Sequence, residues 1–342
     1  MKVLVTGATG FIGQHLTARL LSLGRRVRIL TRDPSRVPSH WLPHVEIVVG
    51  DLLDAGVVGA ATRGVSAVYH LAGEVKAERL LTAVNVEGLE IILDASAKAG
   101  VRTFCYFSSA GVYGNPRPGP VTEETPCDPQ TEYQETKYLG EQLVRGFSDA
   151  GKFRAIVVRP TTVYGEGKNQ SSNFFFQWLT AIRGGRFRFV GGKGVANFVY
   201  VGDLVEACLF LVEHASHPHE VCVVSDPVPM SEFVWSAADS LQVARPRSTV
   251  PVWLAYAVAG IFQIMNRVWS TPVPLTITGV RALSSRHVFV SKRLREDYHF
   301  SFPFGFQRGL EQTVQWYQGR YAAERKPADQ LKTGSPQIGV DN

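Results

Sequence analysis

The chain has 342 residues, 45% of them hydrophobic and 19% charged, with a formal net charge of +6 and a pI near 9.2. That length holds one large domain, or a cofactor domain with a smaller substrate-binding part, and the balance is ordinary for a globular enzyme. It argues against a nucleic-acid binder, which needs a concentrated basic stripe with interleaved aromatics.

The one dense basic stretch, Arg281, Arg286, Lys292, Arg293 and Arg295, reads as a solvated helix face, with anionic substrate groups or a lipid surface as the alternatives. The four cysteines, Cys105, Cys127, Cys208 and Cys222, form no CxxC pair, and no histidine spacing suggests zinc, so no metal is expected. Cys105 and Cys222 lie in apolar, strand-like runs and are expected to be buried, which fits a reducing cytoplasm.

The first strand-like run is Val3–Thr6, and because residues 1–13 already read as a strand and a glycine loop, no signal peptide is expected. The loop is Thr6-Gly7-Ala8-Thr9-Gly10-Phe11-Ile12-Gly13, and a helix pattern over Ile12–Leu23 follows at once. A dinucleotide pyrophosphate needs backbone N–H donors at close range with a helix N-terminus behind them. Gly7 permits the tight turn, Gly10 lets the backbone approach the phosphates, and Gly13 lets the helix pack closely on the strand. The spacing is GxxGxxG rather than GxGxxG. In a strand–loop–helix context at the start of the chain it still points to a dinucleotide.

A second strand, Val27–Leu30, ends in Thr31-Arg32-Asp33. An NAD-selective site places a carboxylate here, on the ribose 2′-hydroxyl. Thr31 takes that place, and Arg32, helped by Arg36, can pair with a 2′-phosphate, so NADP(H) is favoured over NAD(H). The alternative is that Arg32 is merely exposed and Asp33 reads the ribose. A third strand, Val45–Val49, leads to Gly50-Asp51-Leu52, where Asp51 either accepts from the adenine amino group or caps a helix.

Further strands are expected at Ala67–His70, Phe104–Ser108 and Ala155–Arg159, and helices at Leu80–Ala99, Glu132–Phe147, Asn173–Arg183 and Val201–Glu213. Continuous apolar strands separated by helix-length segments predict a doubly wound parallel sheet of the Rossmann type, covered on both faces. The expected domains are a dinucleotide-binding part over 1–165, to which 195–225 return, and a smaller, mainly helical substrate-binding part over 166–194 and 226–324. Residues 325–342 are polar and aperiodic and are read as a disordered tail. No internal repeat is apparent. Gly184–Gly194 has loop and short-strand character. Pro251–Met265 carries no charge but is shorter than the ~20 residues a span needs. It reads as a buried helix lining the substrate pocket, with a helix lying in a membrane interface as the alternative.

Tyr133-Gln134-Glu135-Thr136-Lys137 puts a tyrosine and a lysine one helical turn apart on the same face. A neighbouring ammonium and the oxidised nicotinamide stabilise a phenolate, which would make Tyr133 an acid/base near neutral pH. Ser109 follows the fifth strand, at the carboxyl end where doubly wound sheets bind ligands, and is placed to hydrogen-bond the reacting oxygen. The bland reading of Ser109 is a turn cap.

Thr6–Gly13, Gly50-Asp51-Leu52, His70-Leu71-Ala72-Gly73, Asn85-Val86-Glu87-Gly88, Phe107–Gly114, Tyr133–Lys137, Arg159-Pro160 with Val163-Tyr164-Gly165, and Phe198–Asp203 occur in order over most of the chain. Together they resemble the extended short-chain dehydrogenases/reductases, the NAD-dependent epimerase/dehydratase family. The resemblance implies Tyr133 as general acid/base, Lys137 on the nicotinamide ribose, and Ser109 orienting the substrate oxygen. It implies that Leu71, Ala72 and Gly73 line the cofactor, that Asn85 supports the site, and that Pro160 and Val163 flank the nicotinamide. Hydride would pass between that ring and a substrate carbon bearing oxygen. Thr9, Phe11, Ile12 and Leu52 complete the expected cofactor contacts, and Glu74, Ala110, Thr161, Thr162 and Asn197 are expected on the substrate side. The resemblance also implies a homodimer through the Leu80–Ala99 and Glu132–Phe147 helices.

Two departures concern the substrate. Nucleotide-sugar enzymes of the family carry asparagine where Thr162 stands, and an arginine for the diphosphate where Ala196 stands, followed here by Asn197. With the apolar 251–265 segment, these departures resemble the 3β-hydroxysteroid and sterol dehydrogenase branch. The implied function is NAD(P)-dependent hydride transfer at a secondary alcohol or ketone. A nucleotide- or lipid-linked sugar epimerase, dehydratase or reductase is the alternative, and a non-catalytic NADP(H)-sensing protein is the reading of another class.

Overall fold

The computed structural model describes residues 1–75, 77–117, 119–167, 174–269 and 277–325. The expected tail beyond Arg325 and Asn173, at the start of one predicted helix, lie outside the described residues.

Seven strands form one sheet: β1 (Lys2–Thr6), β2 (Arg26–Thr31), β3 (Val45–Val49), β4 (Ala67–His70), β5 (Thr103–Phe107), β6 (Arg154–Pro160) and β7 (His219–Val224). Their order is β7-β6-β5-β4-β1-β2-β3, and every pairing is parallel. Alternate residues of each inner strand enter different cores. Val3, Val5, Cys105, Phe107, Ile156 and Val158 face one side, while Leu4, Phe104, Tyr106, Ala155 and Val157 face the other. Burial on both faces is why these strands read as unbroken apolar runs. Helices α1 (Phe11–Ser22) and α6 (Val201–His214) cover the first core. Helices α2 (Ala55–Thr62), α3 (Gly88–Lys98) and α4 (Glu132–Asp149) cover the second. Strand order reverses between β1 and β4, so the carboxyl ends of these strands open the crevice where doubly wound sheets hold ligands.

The six strands expected from the sequence are present, and the segment returning after residue 195 supplies a seventh edge strand. Helix α2, a short run of Ala, Gly and Val, was not expected: it has too few turns to show a period. The expected Leu80–Ala99 helix is interrupted. A turn at Glu78–Thr82 leads into a wider π-helical turn at Ala83–Glu87 before α3 resumes the ordinary pitch. Asn85 sits in that wider turn, a feature often found at functional sites.

The second lobe packs α5 (Phe174–Arg183), α7 (Met230–Ser240), α8 (Val252–Trp269), α9 (Ile277–Ser284) and α10 (Gly305–Arg325) around an aromatic core. Tyr164 and Phe175 lie 5.1 Å apart, and Phe198 and Phe233 4.9 Å. Asp203 ties this lobe to the sheet domain: its two carboxylate oxygens accept the Phe304 and Gly305 N–H groups, both at 2.9 Å, where α10 begins.

Two expectations are corrected here. The basic stretch is not one solvated helix face: Arg281 and Arg286 are exposed, but its later part pairs through Lys292, Arg293 and Arg295 with Glu124, Glu220 and Asp226 at 3.1, 2.8 and 3.1 Å. It straps the second lobe to the sheet edge. The apolar helix is only half buried: Ala255 and Ala259 enter the core, while Trp253, Leu254 and Ile261 face outward. Among the described residues no helix is long and apolar enough to cross a membrane.

Candidate active site

The glycine loop is shaped by contacts that leave no room for side chains. Gly7 has φ +70°, and a Cβ there would stand 2.7 Å from the Ala72 nitrogen. A Cβ on Gly13 would stand 2.1 Å from the Gly7 carbonyl oxygen. Thr6 links the two strand ends: its hydroxyl lies 2.9 Å from His70 Nδ1 and accepts the Ala72 N–H at 3.2 Å. Burial drives the His70 imidazole down to about 3, so it is neutral. Gly10 caps α1 without a side-chain hydrogen bond. The first N–H groups of that helix therefore remain available to an anion.

A cleft of about 370 Å³ opens from this loop. It brings together Gly7, Thr9, Gly10, Arg32, Asp51, Leu52, Leu71, Ala72, Gly73 and Glu74 from the expected set, together with Thr31, Asp33, Arg36 and Val84. Phe11, Ile12 and Gly13 lie behind it in α1. Phe11 packs edge-on against His15 at 5.5 Å, and Ile12 is partly buried between the two lobes' cores. The glycine cradle, the open helix end and the two arginines fit a dinucleotide.

At the ribose end, Asp33 Oδ1 accepts from both the backbone N–H and the hydroxyl of Ser35, at 3.0 and 2.6 Å. Those bonds hold its carboxyl below the ordinary range. Asp51 Oδ1 accepts the Leu53 N–H at 2.9 Å, and its other oxygen lies 3.9 Å from the exposed Arg32 guanidinium.

The catalytic candidates lie outside the lining of this cleft, with Lys137 next to its Gly73. Thr131 caps α4 by accepting the Gln134 N–H at 3.3 Å. The helix then places Tyr133, Lys137 and Glu141 on one side, a turn apart. Lys137 is buried and donates to the Phe107 carbonyl at 2.9 Å. Its ammonium lies 3.4 Å from where a Gly73 Cβ would sit, so a side chain there would press on it. Burial pulls Lys137 down to about 8, and the Glu141 carboxylate opposes the fall. Ser109 ends the β5 segment, accepts the Gly111 N–H at 3.0 Å, and hydrogen-bonds the Tyr133 side chain. It is thus a turn cap and a partner of Tyr133 at once. Burial raises the Tyr133 phenol above its ordinary value, and the Ser109 bond pulls the other way. The expected lowering by Lys137 is not among the effects on Tyr133 in the chain alone, where burial dominates.

Asn85 is buried and saturated. Its Oδ1 accepts the Glu74 N–H at 2.8 Å, and its amide donates to the Glu74 carbonyl at 3.0 Å and to Thr136 Oγ1 at 3.1 Å. It clamps the loop after β4 to α4. Pro160 closes β6 opposite Val224, and Val163 pairs with Val199 in the short strand that follows. Ala110 is buried in the turn after Ser109, Thr161 bonds back to Val224, and Thr162 is exposed. Asn197 does not offer a free amide. It donates to the His287 carbonyl at 2.8 Å and accepts the Phe289 N–H at 2.9 Å, holding the strap that follows α9.

Sequence reasoning missed the support beneath Lys137. Glu141 accepts from Arg159 Nε at 2.9 Å and from its terminal nitrogen at 2.5 Å, and from the Ser108 hydroxyl at 2.5 Å. Arg159 also donates to Tyr113 Oη at 2.7 Å. The signal was present: Glu141 is four residues beyond Lys137, and Arg159 stands in a recognised motif.

Comparison with known proteins agrees with this geometry. The NAD dependent epimerase/dehydratase family model matches residues 3–224. An uncharacterised protein of Sinorhizobium fredii is 34% identical over 60% of this chain, which spans about half (52%) of that relative. A 3 beta-hydroxysteroid dehydrogenase/Delta 5-->4-isomerase of Mycobacterium tuberculosis is 27% identical, covering 98% of this chain and 95% of the relative. An N-acetyl-alpha-D-glucosaminyl-diphospho-ditrans,octacis-undecaprenol 4-epimerase of Escherichia coli O157:H7 is also 27% identical, over 92% and 95%. A short-chain dehydrogenase/reductase superfamily protein from Agrobacterium tumefaciens, solved with bound NAD, superposes with a TM-score of 0.74 at 24% identity, covering 95% of this chain and 100% of that one. This chain belongs to the NAD dependent epimerase/dehydratase family and is an NAD(P)-dependent enzyme of the short-chain dehydrogenase/reductase type.

Proposed function

We propose that this enzyme interconverts a secondary alcohol and a ketone with NADP(H), on a substrate with an apolar body rather than a nucleotide diphosphate. The observation that carries the reaction is that Ser109 bonds Tyr133 one helical turn from buried Lys137, whose ammonium lies beside Gly73 of the dinucleotide cleft. When bound, the nicotinamide supplies or accepts the two electrons. Tyr133 holds the proton for the substrate oxygen, Ser109 orients that oxygen, and Lys137 supplies the positive charge behind them. Tyr133→Phe should abolish turnover of an alcohol found by screening while leaving NADPH binding intact. Unchanged turnover refutes the assignment, and a chain with no turnover on any substrate favours a cofactor sensor.

The apolar substrate is supported by Ala196 and Asn197. Neither supplies a cation, and both amide atoms of Asn197 are spent on backbone. The relative named as a 3 beta-hydroxysteroid dehydrogenase points the same way. NADP(H) is supported by Arg32 and Arg36 on the cleft wall and by the commitment of one Asp33 oxygen to Ser35. A charge-assisted bond is worth roughly 1.5–3 kcal/mol. Arg32→Ser should therefore weaken NADP⁺ binding by about tenfold to a hundredfold and spare NAD⁺. Equal losses for both refute it.

A competing reading is an epimerase acting on a lipid-linked sugar, as the Escherichia coli relative is named. Exposed Arg186, Arg188 and Lys193 on the second lobe could meet a diphosphate. An epimerase retains its cofactor through turnover, so freely exchanging cofactor in the purified protein excludes it. We also place the enzyme in the cytoplasm as a homodimer. The exposed Leu80 and Leu139 on the helices of the expected interface support the second point, and sedimentation of Leu139→Glu tests it.

A further inference from the structure

Helix α8 breaks the rule for a surface helix. Its inner face, Ala255 and Ala259 with Val252 and Tyr256, meets the core. Its outer face should then be polar. Instead Trp253 is 71% exposed, Ile261 59% and Leu254 39%, with exposed Ala257 completing the stripe at helical spacing. Trp is rarely left so bare on a monomer surface, and a contiguous exposed apolar patch marks a contact.

The charge around the stripe indicates what the contact is. The chain has 30 Asp and Glu, yet none falls in residues 167–202 or 240–295, the segments that frame α8. Strand Phe189–Val190 pairs with Thr249–Val250 just before α8, and a Cβ on Gly191 would stand 2.6 Å from Val252. Helix α9 packs on α8 and on the same strand. The segments that adjoin α8 thus carry exposed Arg186, Arg188, Lys193, Arg247 and Arg281. A self-association surface would gather like charge against like, whereas an anionic bilayer is complementary to both features.

We propose that the second lobe docks on an anionic lipid surface, with α8 lying in the headgroup region: Trp253, Leu254 and Ile261 immersed and the surrounding arginines and lysine on lipid phosphates. Helices of this kind lie in the interface rather than cross it, tryptophan favours that depth, and each basic residue near the surface adds attraction that salt screens. The docking does not depend on the substrate class proposed above, and it is read without turnover.

The test is sedimentation of the full chain with vesicles of phosphatidylcholine, with and without one-third phosphatidylglycerol. Binding to the anionic vesicles, a blue shift in tryptophan emission, and release by salt are expected. Trp253→Glu with Ile261→Glu should reduce partitioning by roughly tenfold or more, and Arg186→Glu with Arg188→Glu by a similar factor. Both side-chain sets are exposed, so both variants should keep the wild-type thermal shift on adding NADPH. Failure of the wild type to bind, or binding unchanged in the α8 variant, overturns the proposal. So does an α8 variant that loses self-association in solution while the wild type ignores vesicles, since the stripe would then be a protein interface.

Discussion

Glu141→Gln removes one charge from a pair that water does not reach. Glu141 and Arg159 are both buried, with side chains only 4% and 7% exposed, and the carboxylate also takes the Ser108 hydroxyl at 2.5 Å. Removing one member of such a pair costs about 3–5 kcal/mol, because the other charge stays buried without compensation. Glutamine keeps the length and one acceptor, and Tyr113 still accepts from Arg159. The lower end, about 3 kcal/mol, is therefore expected. At ~2–4 °C per kcal/mol for domains of this order, the melting midpoint should fall by roughly 6–12 °C. Glu141→Leu combined with Arg159→Met removes both charges and should recover most of that loss. A double variant no more stable than the single one refutes the electrostatic argument and makes shape the cause.

A second readout separates positioning from bulk stability. Glu141 is the charge that holds Lys137 up against the desolvation that pulls it to about 8. Without it the ammonium loses its proton at lower pH, so the alkaline limb of NADPH affinity should move down in Glu141→Gln. Fluorescence titration from neutral to alkaline pH reads the limb directly. A limb that does not move would mean Glu141 steadies the fold but does not act on Lys137.

Gly13→Ala puts a Cβ where the Gly7 carbonyl already stands. It should abolish the NADPH-induced thermal shift, while Gly59→Ala, with nothing near it on α2, should leave that shift intact and gain up to ~1 kcal/mol. His70 is held neutral down to about 3 in the folded chain, whereas an unfolded histidine takes a proton near 6.5. Its contribution is complete above 6.5 and is lost as pH falls toward 3. At a pH of about 5 the loss is about 2 kcal/mol, and His70→Gln should flatten that part of the urea-midpoint profile. Asp203→Asn leaves one of the two N–H groups at the start of α10 without its acceptor and should cost about 1–2 kcal/mol in a chemical denaturation curve.

The sheet was legible because its strands obey one local rule. The inner strands are buried on both faces, so Val3–Val5, Ala67–Tyr69 and Phe104–Phe107 are unbroken apolar runs that need no partner to be recognised. The glycine loop was legible for a related reason: positive φ and close backbone approach leave a residue-type mark at fixed spacing. Tyr133 and Lys137 could be paired because a helix fixes their relation within a few residues. What failed was whatever depends on a distant partner. That Asn197 holds residues 287–289 could not be read, because both backbone partners lie far along the chain. Lys292, Arg293 and Arg295 looked like a solvated helix face until Glu124, Glu220 and Asp226 met them from other elements. The state of Tyr133 also turned on burial, which spacing does not report.

The same division explains why cofactor and substrate are not equally readable. The dinucleotide cleft is shaped largely by backbone near strand ends, and backbone demands show in local sequence as glycines and short motifs. The second lobe beside it is assembled from the short pairing of 162–164 with 198–200, the aromatic core and the strap after α9, segments far apart in the chain. Such a site keeps its shape under many side-chain sets, so spacing does not identify its ligand. Charge distribution survives that freedom better than any single contact. The absence of acids from 167–202 and 240–295 holds whichever residues line the pocket. Along these two segments it favours neutral or anionic partners before any one contact is assigned.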